Sequence, residues 1–168
     1  MTVYLVAAIS KNNVIGVGNR LPWTLPYDLK WFQMNTKEGA VIMGRRTWDS
    51  LPKKPLPNRL NIILSRSTKK MPENIFEPPK QIRWCNNVSS ALKTASARSK
   101  KMYIIGGAEI YRDFMFAVNV FILTRIHSIV KGKKMVYLRL PKHKKLVWSS
   151  KTFQENGITF HFEIYLKL

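Results

Sequence analysis

The sequence contains little cysteine and no long apolar run. Cys85 is the only cysteine among 168 residues, so no disulfide can form within the chain. No stretch approaches the ~20 apolar residues that a membrane-spanning helix needs. The first residues are interrupted by polar side chains and have no small-residue cleavage site, which argues against a secretory leader. We therefore expect a protein of the reducing cytoplasm that has no membrane contact.

Acidic residues are scarce as well. Nine Asp and Glu stand against 29 Lys and Arg, which gives a formal net charge of +20. The basic residues are scattered along the chain and predict a generally cationic surface. Two interpretations stay open: non-specific contact with nucleic acid or another polyanion, and a solvated surface without a specific partner.

Short apolar segments alternate along the chain with longer segments that contain both polar and apolar residues. Five apolar runs are too short for typical helices and predict strands that are buried on both faces. They are residues 3–9, 40–43, 60–64, 82–84 and 102–105. Helices are predicted between them at 26–35, 45–50, 88–99 and 108–117. The alternation predicts a single α/β domain over residues 1–168, with a mostly parallel central sheet and about four flanking helices.

The C-terminal residues follow a period of two. Phe160, Phe162 and Ile164 alternate with more polar side chains, which predicts a strand with one better-buried face. We expect this strand to run antiparallel at one edge of the sheet and to pair with residues 120–126. Residues 142–156 have no clear pattern and receive no assignment.

The segment LPWTLPYDLKWF, residues 21–32, places an acid among apolar residues. Thr24 is predicted to cap a helix that begins near Pro26. Helical spacing then puts Asp28 on one face with Leu25, Leu29 and Phe32. A buried carboxylate there has a raised pKa and suits proton transfer or a cationic ligand. An acid in the first helical turn that points to water is an equal alternative.

Three strand ends have groups that suit phosphate. They are Gly44-Arg45-Arg46-Thr47, Ser65-Arg66-Ser67 and Gly106-Gly107-Ala108. Backbone N–H groups, hydroxyls and guanidiniums at one edge of an α/β sheet are typical of ligand sites. The glycine pair alone is weak, because the GxGxxG pattern is absent and such pairs usually form simple turns. The three histidines lack ligand spacing, so no metal site is predicted.

Several segments together resemble the dihydrofolate reductase family over almost the whole chain. They are VAAIS, NNVIGVGNRLPW, LPYDLKWF, VIMGRRTWDSL, PLPNRLNIILSR, MYIIGGAEIY and FILTRI. The resemblance implies that family's single-domain fold, with an antiparallel C-terminal edge. It also implies reduction of 7,8-dihydrofolate to tetrahydrofolate by hydride transfer from NADPH, by a monomeric enzyme.

The resemblance assigns roles around the substrate. Asp28 would hydrogen-bond the pterin and promote protonation of its N5, and Thr124 would support Asp28. Trp23 would hold the water that carries the proton, and Leu21 would lie on the loop that closes over the nicotinamide. Arg59 would bind the glutamate carboxylate of folate. The implied walls of the pterin and benzoyl pocket are Val6, Ala7, Ala8, Leu29, Phe32, Leu51, Leu56 and Ile105.

The resemblance also assigns the NADPH site. The implied contacts of the nicotinamide half are Ala8, Ile15 and Gly16. The implied contacts of the pyrophosphate and the 2′-phosphate are Gly44, Arg45, Arg46, Thr47, Leu64, Ser65 and Arg66. Gly106 and Gly107 match a glycine pair that a cis peptide joins in this family. The residues that follow it at the helix start are Ala108, Glu109 and Ile110.

Some positions depart from the family pattern. Lys133 stands where an acid helps hold the active-site loop closed, and Glu109 stands where an arginine often faces the cofactor phosphates. An extra residue precedes Arg59. Together with the net charge of +20, these departures support an alternative: a reductase fold with weak catalysis and a polyanion-binding or structural role. A reductase for another pterin or a riboflavin precursor is a third possibility.

Overall fold

The computed structural model describes residues 1–18, 20–67 and 81–168. Within these residues the chain forms one mixed sheet of nine strands. The strands are β1 (Thr2–Ser10), β2 (Val14–Val17), β3 (Ala40–Gly44), β4 (Leu60–Leu64), β5 (Ile82–Cys85), β6 (Lys101–Ile104), β7 (Val120–Ile126), β8 (Met135–Tyr137), β9 (Lys144–Ser149), β10 (Phe153–Glu155) and β11 (Ile158–Lys167). All belong to the sheet except β2 and β8, which form a separate antiparallel ribbon.

The strand order across the sheet is β10-β11-β7-β1-β6-β3-β4-β5, and β9 also pairs with β11. From β7 to β5 every neighbouring pair is parallel, whereas β11 runs antiparallel to β7. In the β7–β11 pair, Phe162 lies opposite Thr124. The prediction of a mostly parallel α/β sheet with an antiparallel C-terminal edge is confirmed.

The four predicted helices are present in the described part of the chain. They are α1 (Pro26–Thr36), α2 (Arg45–Ser50), α3 (Val88–Ser96) and α4 (Ala108–Phe114), which continues as a 3-10 turn over Met115–Ala117. The helix predicted over 88–99 ends earlier because the Ser99 hydroxyl bonds the backbone of Lys101 and turns the chain into β6. None of these helices is long and apolar enough to cross a membrane.

The start of α1 differs from the sequence prediction. Pro26 occupies the first turn as expected, but the N-cap is Leu25, which makes no side-chain capping bond. The predicted cap by Thr24 is therefore wrong. The prediction failed because Thr24 lies one residue too early for its hydroxyl to reach the free amides of the first turn.

Strands β9 and β10 lie within residues 142–156, which received no assignment from the sequence. Most of the side chains of β9 are exposed, so the strand has no buried face that alternation could reveal. Both strands gain their partners from β11: Glu155 pairs with Ile158, and Lys145 pairs with Leu166. They are strands because of long-range pairing rather than local pattern.

Successive residues of the central strands bury opposite faces of the sheet. One face contributes Leu5, Ile42, Ile62, Ile104 and Phe121. The other contributes Val6, Val41, Met43, Ile63 and Tyr103. Fully burying such a side chain contributes roughly 1.5–3 kcal/mol. The packed sheet therefore holds the ends of β1 and β7 in fixed positions, and the candidate site lies there.

Candidate active site

Asp28 lies in the first turn of α1 and faces β7. The hydroxyl of Thr124, whose side chain is buried, donates a hydrogen bond of 2.5 Å to Asp28 Oδ1. Burial raises the pKa of Asp28; the Thr124 hydrogen bond opposes this effect, and the charge of Glu155 adds to it. Of the two alternatives for Asp28, the structure favours the carboxylate that faces the protein interior.

No cation of the described residues neutralises Asp28. Within the described ranges it forms no ion pair with Lys, Arg or His. Tyr111 of α4 is buried close enough that burial and the Asp28 charge both raise the pKa of its phenol, which donates to Val6 O at 2.7 Å. An uncompensated carboxylate in apolar surroundings is suited to hold or move a proton at a higher pH than an exposed Asp can.

Trp23 precedes α1 and brings a polar atom to the same face of the sheet. Its ring packs with Leu25, Ile126 and Phe162, and its exposed fraction is 8%. Its buried Nε1 has no hydrogen-bond acceptor among the described residues. A buried donor without a protein partner is typical of a position that binds a water or a ligand, which supports the role expected for Trp23. Leu21, two residues earlier, is exposed.

Most of the expected substrate-pocket residues lie in one apolar cluster beside Asp28. They are Val6, Phe32, Leu51, Leu56 and Ile105. Ala8 lies next to them, beside Trp23 and Leu25. Two expected residues lie apart from this cluster: the side chain of Ala7 packs on the opposite face of the sheet, and Leu29 has an exposed fraction of 56%.

Arg59 is a buried cation whose orientation is fixed. Its Nε donates to Pro57 O at 2.9 Å, and its Nη1 donates to Thr36 Oγ1 at 2.8 Å. Its guanidinium carbon lies 5.9 Å from the centre of the Phe32 ring. Burial lowers the pKa of Arg59, and no carboxylate of the described residues pairs with it. A guanidinium held in this way suits a ligand carboxylate.

The ends of β3 and β6 meet at a close approach of glycines. The expected cis peptide joins Gly106 and Gly107, and Gly44 N donates to Gly106 O at 2.9 Å. A Cβ on Gly44 would lie 3.1 Å from Ile110 Cγ1, and one on Gly106 would lie 3.2 Å from the Tyr111 hydroxyl. These glycines therefore let the starts of α2 and α4 lie side by side.

Two arginines, Arg45 and Arg46, lie in the first turn of α2. Neither Gly44 nor Gly107 provides a side-chain cap to its helix. Arg46 is exposed and forms no ion pair in the described part of the chain, whereas Arg45 pairs with Asp49 at 2.7 Å. These groups fit a phosphate-bearing cofactor by the chemistry of their donors.

Arg66, which follows β4, faces Glu109 of α4. Their side chains form an ion pair of 3.0 Å, and both are exposed. Ser65 is buried, and its hydroxyl bonds Ser67 O at 3.3 Å. The Glu109 carboxylate is therefore paired with the Arg66 guanidinium, the group that is expected to bind the 2′-phosphate of NADPH.

The ribbon of β2 and β8 holds the segment that contains Ile15 and Gly16. Gly16 lies opposite Val136, and Gly18 N donates to Lys134 O at 2.9 Å. Lys133 is exposed. Backbone hydrogen bonds therefore connect β2 and the residue after it to β8 and the residue before it. Lys133 supplies no carboxylate to this connection, unlike the acid that the family pattern has there.

A comparison with known protein families identifies the family of this chain. The model of the dihydrofolate reductase family matches residues 2–167. The chain belongs to the dihydrofolate reductase family.

Curated members of the family agree with this match. A dihydrofolate reductase from Buchnera aphidicola subsp. Acyrthosiphon pisum is 41% identical over 167 residues, which cover 98% of each chain. The enzyme of that name from Haemophilus influenzae is 39% identical over 132 residues, which cover 79% of this chain and 76% of the relative. The dihydrofolate reductase from Saccharomyces cerevisiae is 34% identical over 143 residues, which cover 77% of this chain and 67% of the relative.

Sequence reasoning missed several residues that shape this reductase site. Thr36 receives a hydrogen bond from Arg59, Tyr111 fixes Val6, and Glu155 influences Asp28. Only Glu155 had a local signal, because the Asn-Gly pair after it is typical of a tight hairpin. That signal predicts a turn but cannot show which helix the turn touches.

Proposed function

We propose that this chain reduces 7,8-dihydrofolate to 5,6,7,8-tetrahydrofolate with NADPH as the hydride donor. The observation that carries the proposal is the Asp28 carboxylate, which is raised in pKa by burial and which, among the described residues, accepts a side-chain hydrogen bond only from the neutral hydroxyl of Thr124. Family membership supplies the reaction class. A catalytically idle scaffold would have no need to keep Asp28, Thr124, Trp23 and Arg59 together.

Asp28 and its neighbours promote the proton transfer. The carboxylate accepts hydrogen bonds from the pterin amino group and N3, while Thr124 holds its Oδ1. The raised pKa of Asp28 favours its protonated form at a higher pH than for an exposed Asp. The unsatisfied Nε1 of Trp23 binds the water through which the proton reaches N5. This arrangement supplies the proton that completes reduction of the C6–N5 double bond.

Arg59 and the apolar cluster orient the substrate. The guanidinium of Arg59 binds the glutamate carboxylate, because two fixed hydrogen bonds leave the rest of its fork available. Phe32, Leu51 and Leu56 pack against the benzoyl ring and exclude water. Orientation of this kind lowers the barrier without further chemistry from the protein.

The residues that would hold NADPH lie at the strand ends. Its phosphates would bind Arg46, Arg66, Ser65 and the backbone amides that follow Gly44 and Gly107. When bound, NADPH supplies the hydride that adds to C6. Ile15, Gly16 and Ala8 would line the nicotinamide half.

A polyanion contact is a separate proposal. The net charge of +20 supports non-specific binding of nucleic acid, which would weaken steeply with added salt because each phosphate contact releases counterions. Retention on a DNA column that is absent, or that salt does not change, would remove it. The cytoplasmic location and the monomeric state stay predictions.

The experiment that tests the proposed function follows the absorbance of NADPH in the presence of dihydrofolate. We expect oxidation that depends on dihydrofolate and is slower with NADH. Activity with another pterin or a riboflavin precursor, but not with dihydrofolate, would contradict the substrate assignment. Binding of NADPH without any turnover would identify a folded but idle scaffold.

A further inference from the structure

The helix that carries Asp28 receives its cap from a distant hairpin. The first amides of a helix have no acceptor within the helix, and the N-cap residue Leu25 supplies none from its side chain. The N–H of Tyr27 donates instead to Glu155 Oε1 at 3.0 Å. The neighbouring Asn156 Nδ2 donates to Thr24 O at 3.0 Å. Two bonds therefore join the hairpin tip to the start of α1.

The hairpin geometry fixes where Glu155 lies. Glu155 is the last residue of β10 and pairs with Ile158 of β11. The two residues between them, Asn156 and Gly157, have φ values of 51° and 72°, as a two-residue turn of type I′ requires. The position of the Glu155 backbone is thus set by a tight turn rather than by a long loop.

Aromatic packing holds the same hairpin against α1. The ring of Tyr27 lies 4.8 Å from the ring of Phe153 in β10 and 5.7 Å from that of Phe162 in β11, measured between ring centres. Because these contacts flank the Tyr27–Glu155 hydrogen bond, the bond forms between two elements that are already packed together. The conformational freedom lost when Glu155 binds the amide is therefore mainly that of its own side chain.

We propose that Glu155 is a positioning residue for Asp28: its carboxylate caps α1 at Tyr27 and thereby holds the next side chain, Asp28, against Thr124. This role rests on the proposed function of Asp28 in proton transfer. Negative charge at a helix start is also favourable toward the helix dipole. Glu155 therefore acts through Asp28 and needs no contact with substrate.

Glu155 also contributes to the electrostatics of the site. Two polar groups of the described residues act on the pKa of Asp28: the Thr124 hydroxyl from β7 lowers it, and the Glu155 carboxylate from β10 raises it. The Tyr111 phenol from α4 lies near enough that the Asp28 charge raises the pKa of that phenol. Burial is the main cause that raises the pKa of Asp28, and the charge of Glu155 raises it further. Removal of this charge is therefore expected to lower the pKa of Asp28.

Two variants separate the cap from the charge. Glu155→Gln keeps an oxygen that can accept the Tyr27 N–H but removes the charge, whereas Glu155→Ala removes both. Gln154→Ala is the matched control, because Gln154 is the exposed neighbour in β10 and points to the other face of the hairpin. The readouts are amide hydrogen exchange at Tyr27 and the pH profile of hydride transfer in single turnovers.

In Glu155→Ala we expect the Tyr27 amide to exchange roughly fivefold faster, which is the usual effect of a lost helix cap. Core amides of β1 and β7 should keep their rates. In both Glu155 variants the pH profile should move to lower pH, because the charge that helps to raise the pKa of Asp28 is removed. Only Glu155→Ala should also lower the maximal rate, because Asp28 is then held less firmly. Gln154→Ala should match the native chain in every readout.

Unchanged exchange at Tyr27 in Glu155→Ala would overturn the proposal, and so would a pH profile that is identical in all four proteins. Failure of the proposed function has a different signature. If Asp28→Asn retains full turnover, then Asp28 is not the proton-transfer residue, whatever the exchange at Tyr27 shows.

Discussion

Two carboxylates on opposite faces of β7 have opposite surroundings. Thr124 and Arg125 are consecutive residues of that strand, so their side chains point to different faces of the sheet. On one face Thr124 donates a single neutral hydrogen bond to Asp28. On the other face Arg125 Nε donates to Glu163 Oε2 at 2.8 Å.

Glu163 has charged and polar partners of a kind that Asp28 lacks among the described residues. His161 lies 2.9 Å from Glu163 Oε1, and the Tyr165 hydroxyl donates to Oε2 at 2.8 Å. Burial alone would raise the pKa of Glu163, but the hydrogen bonds from Arg125, His161 and Tyr165 lower it below the ordinary value. From this difference we expect that Glu163, whose charge is satisfied, stabilises the sheet, and that Asp28, whose charge is not, is available for chemistry.

The largest effect is expected for Asp28→Asn. The variant should lose turnover at neutral pH by on the order of 100-fold or more, since it removes the residue that promotes proton transfer. Steady-state oxidation of NADPH with dihydrofolate measures it. The control is Glu163→Gln, which removes the other carboxylate. It should change turnover by less than roughly twofold, because the partners of a carboxylate, and not its closeness to β7, decide whether it takes part in proton transfer. Equal losses of turnover in the two variants would contradict the difference in role between Asp28 and Glu163.

A tenfold effect is expected for Thr124→Val. The variant keeps the shape of the side chain but removes the donor to Asp28, which should slow hydride transfer by roughly tenfold. Because this hydrogen bond lowers the pKa of Asp28, its loss should move the pH profile to higher pH, opposite to the shift expected for Glu155→Gln. Single-turnover rates across pH measure both, and a shift to lower pH would contradict the assignment.

The third expectation concerns stability. Glu163→Gln should destabilise the fold by roughly 1–3 kcal/mol, because it leaves the partly buried Arg125 without its counter-charge. Since the folded state lowers the pKa of Glu163, its stabilisation is present above pH 4.5 and is lost as the pH falls through the folded value. Urea unfolding of native and variant chains at several pH values measures the difference, which should shrink in acid.

Asp28 should show the reverse dependence in the same unfolding experiment. Its folded pKa is raised, so the ionised carboxylate lowers stability as the pH rises from 3.8 through the folded value. Asp28→Asn should therefore stabilise the fold at neutral pH while it abolishes turnover. A destabilised Asp28→Asn variant at neutral pH would show that the carboxylate is structural.

The smallest effect is expected for a third carboxylate, which is exposed. Glu109 pairs with Arg66 at the surface, where such an ion pair contributes about 0–1 kcal/mol to stability. Glu109→Gln should leave stability unchanged but release Arg66, so that NADPH binds a few-fold more tightly. Fluorescence titration with NADPH and NADH measures this, and weaker binding of NADPH by the variant would contradict it.

Particular elements show how far the sequence alone leads. The apolar runs and the C-terminal alternation predicted the sheet, because the burial of these strands determines which of their neighbouring residues are apolar. Helical spacing identified Asp28 but left its direction open, and only its contact with Thr124, 96 residues away along the chain, decides it. The cap of α1 by Glu155 and the exposed strand β9 were missed, since both depend on long-range contacts without a local signal.

The most direct test is a titration of both carboxyl groups in one sample by carbon-detected NMR, with Asp28→Asn and Glu163→Gln to assign the signals. The account predicts that Asp28 titrates above its ordinary value of 3.8 and that Glu163 titrates below its ordinary value of 4.5. An Asp28 that titrates at or below 3.8 would contradict the claim that the site keeps this carboxylate ready to move a proton.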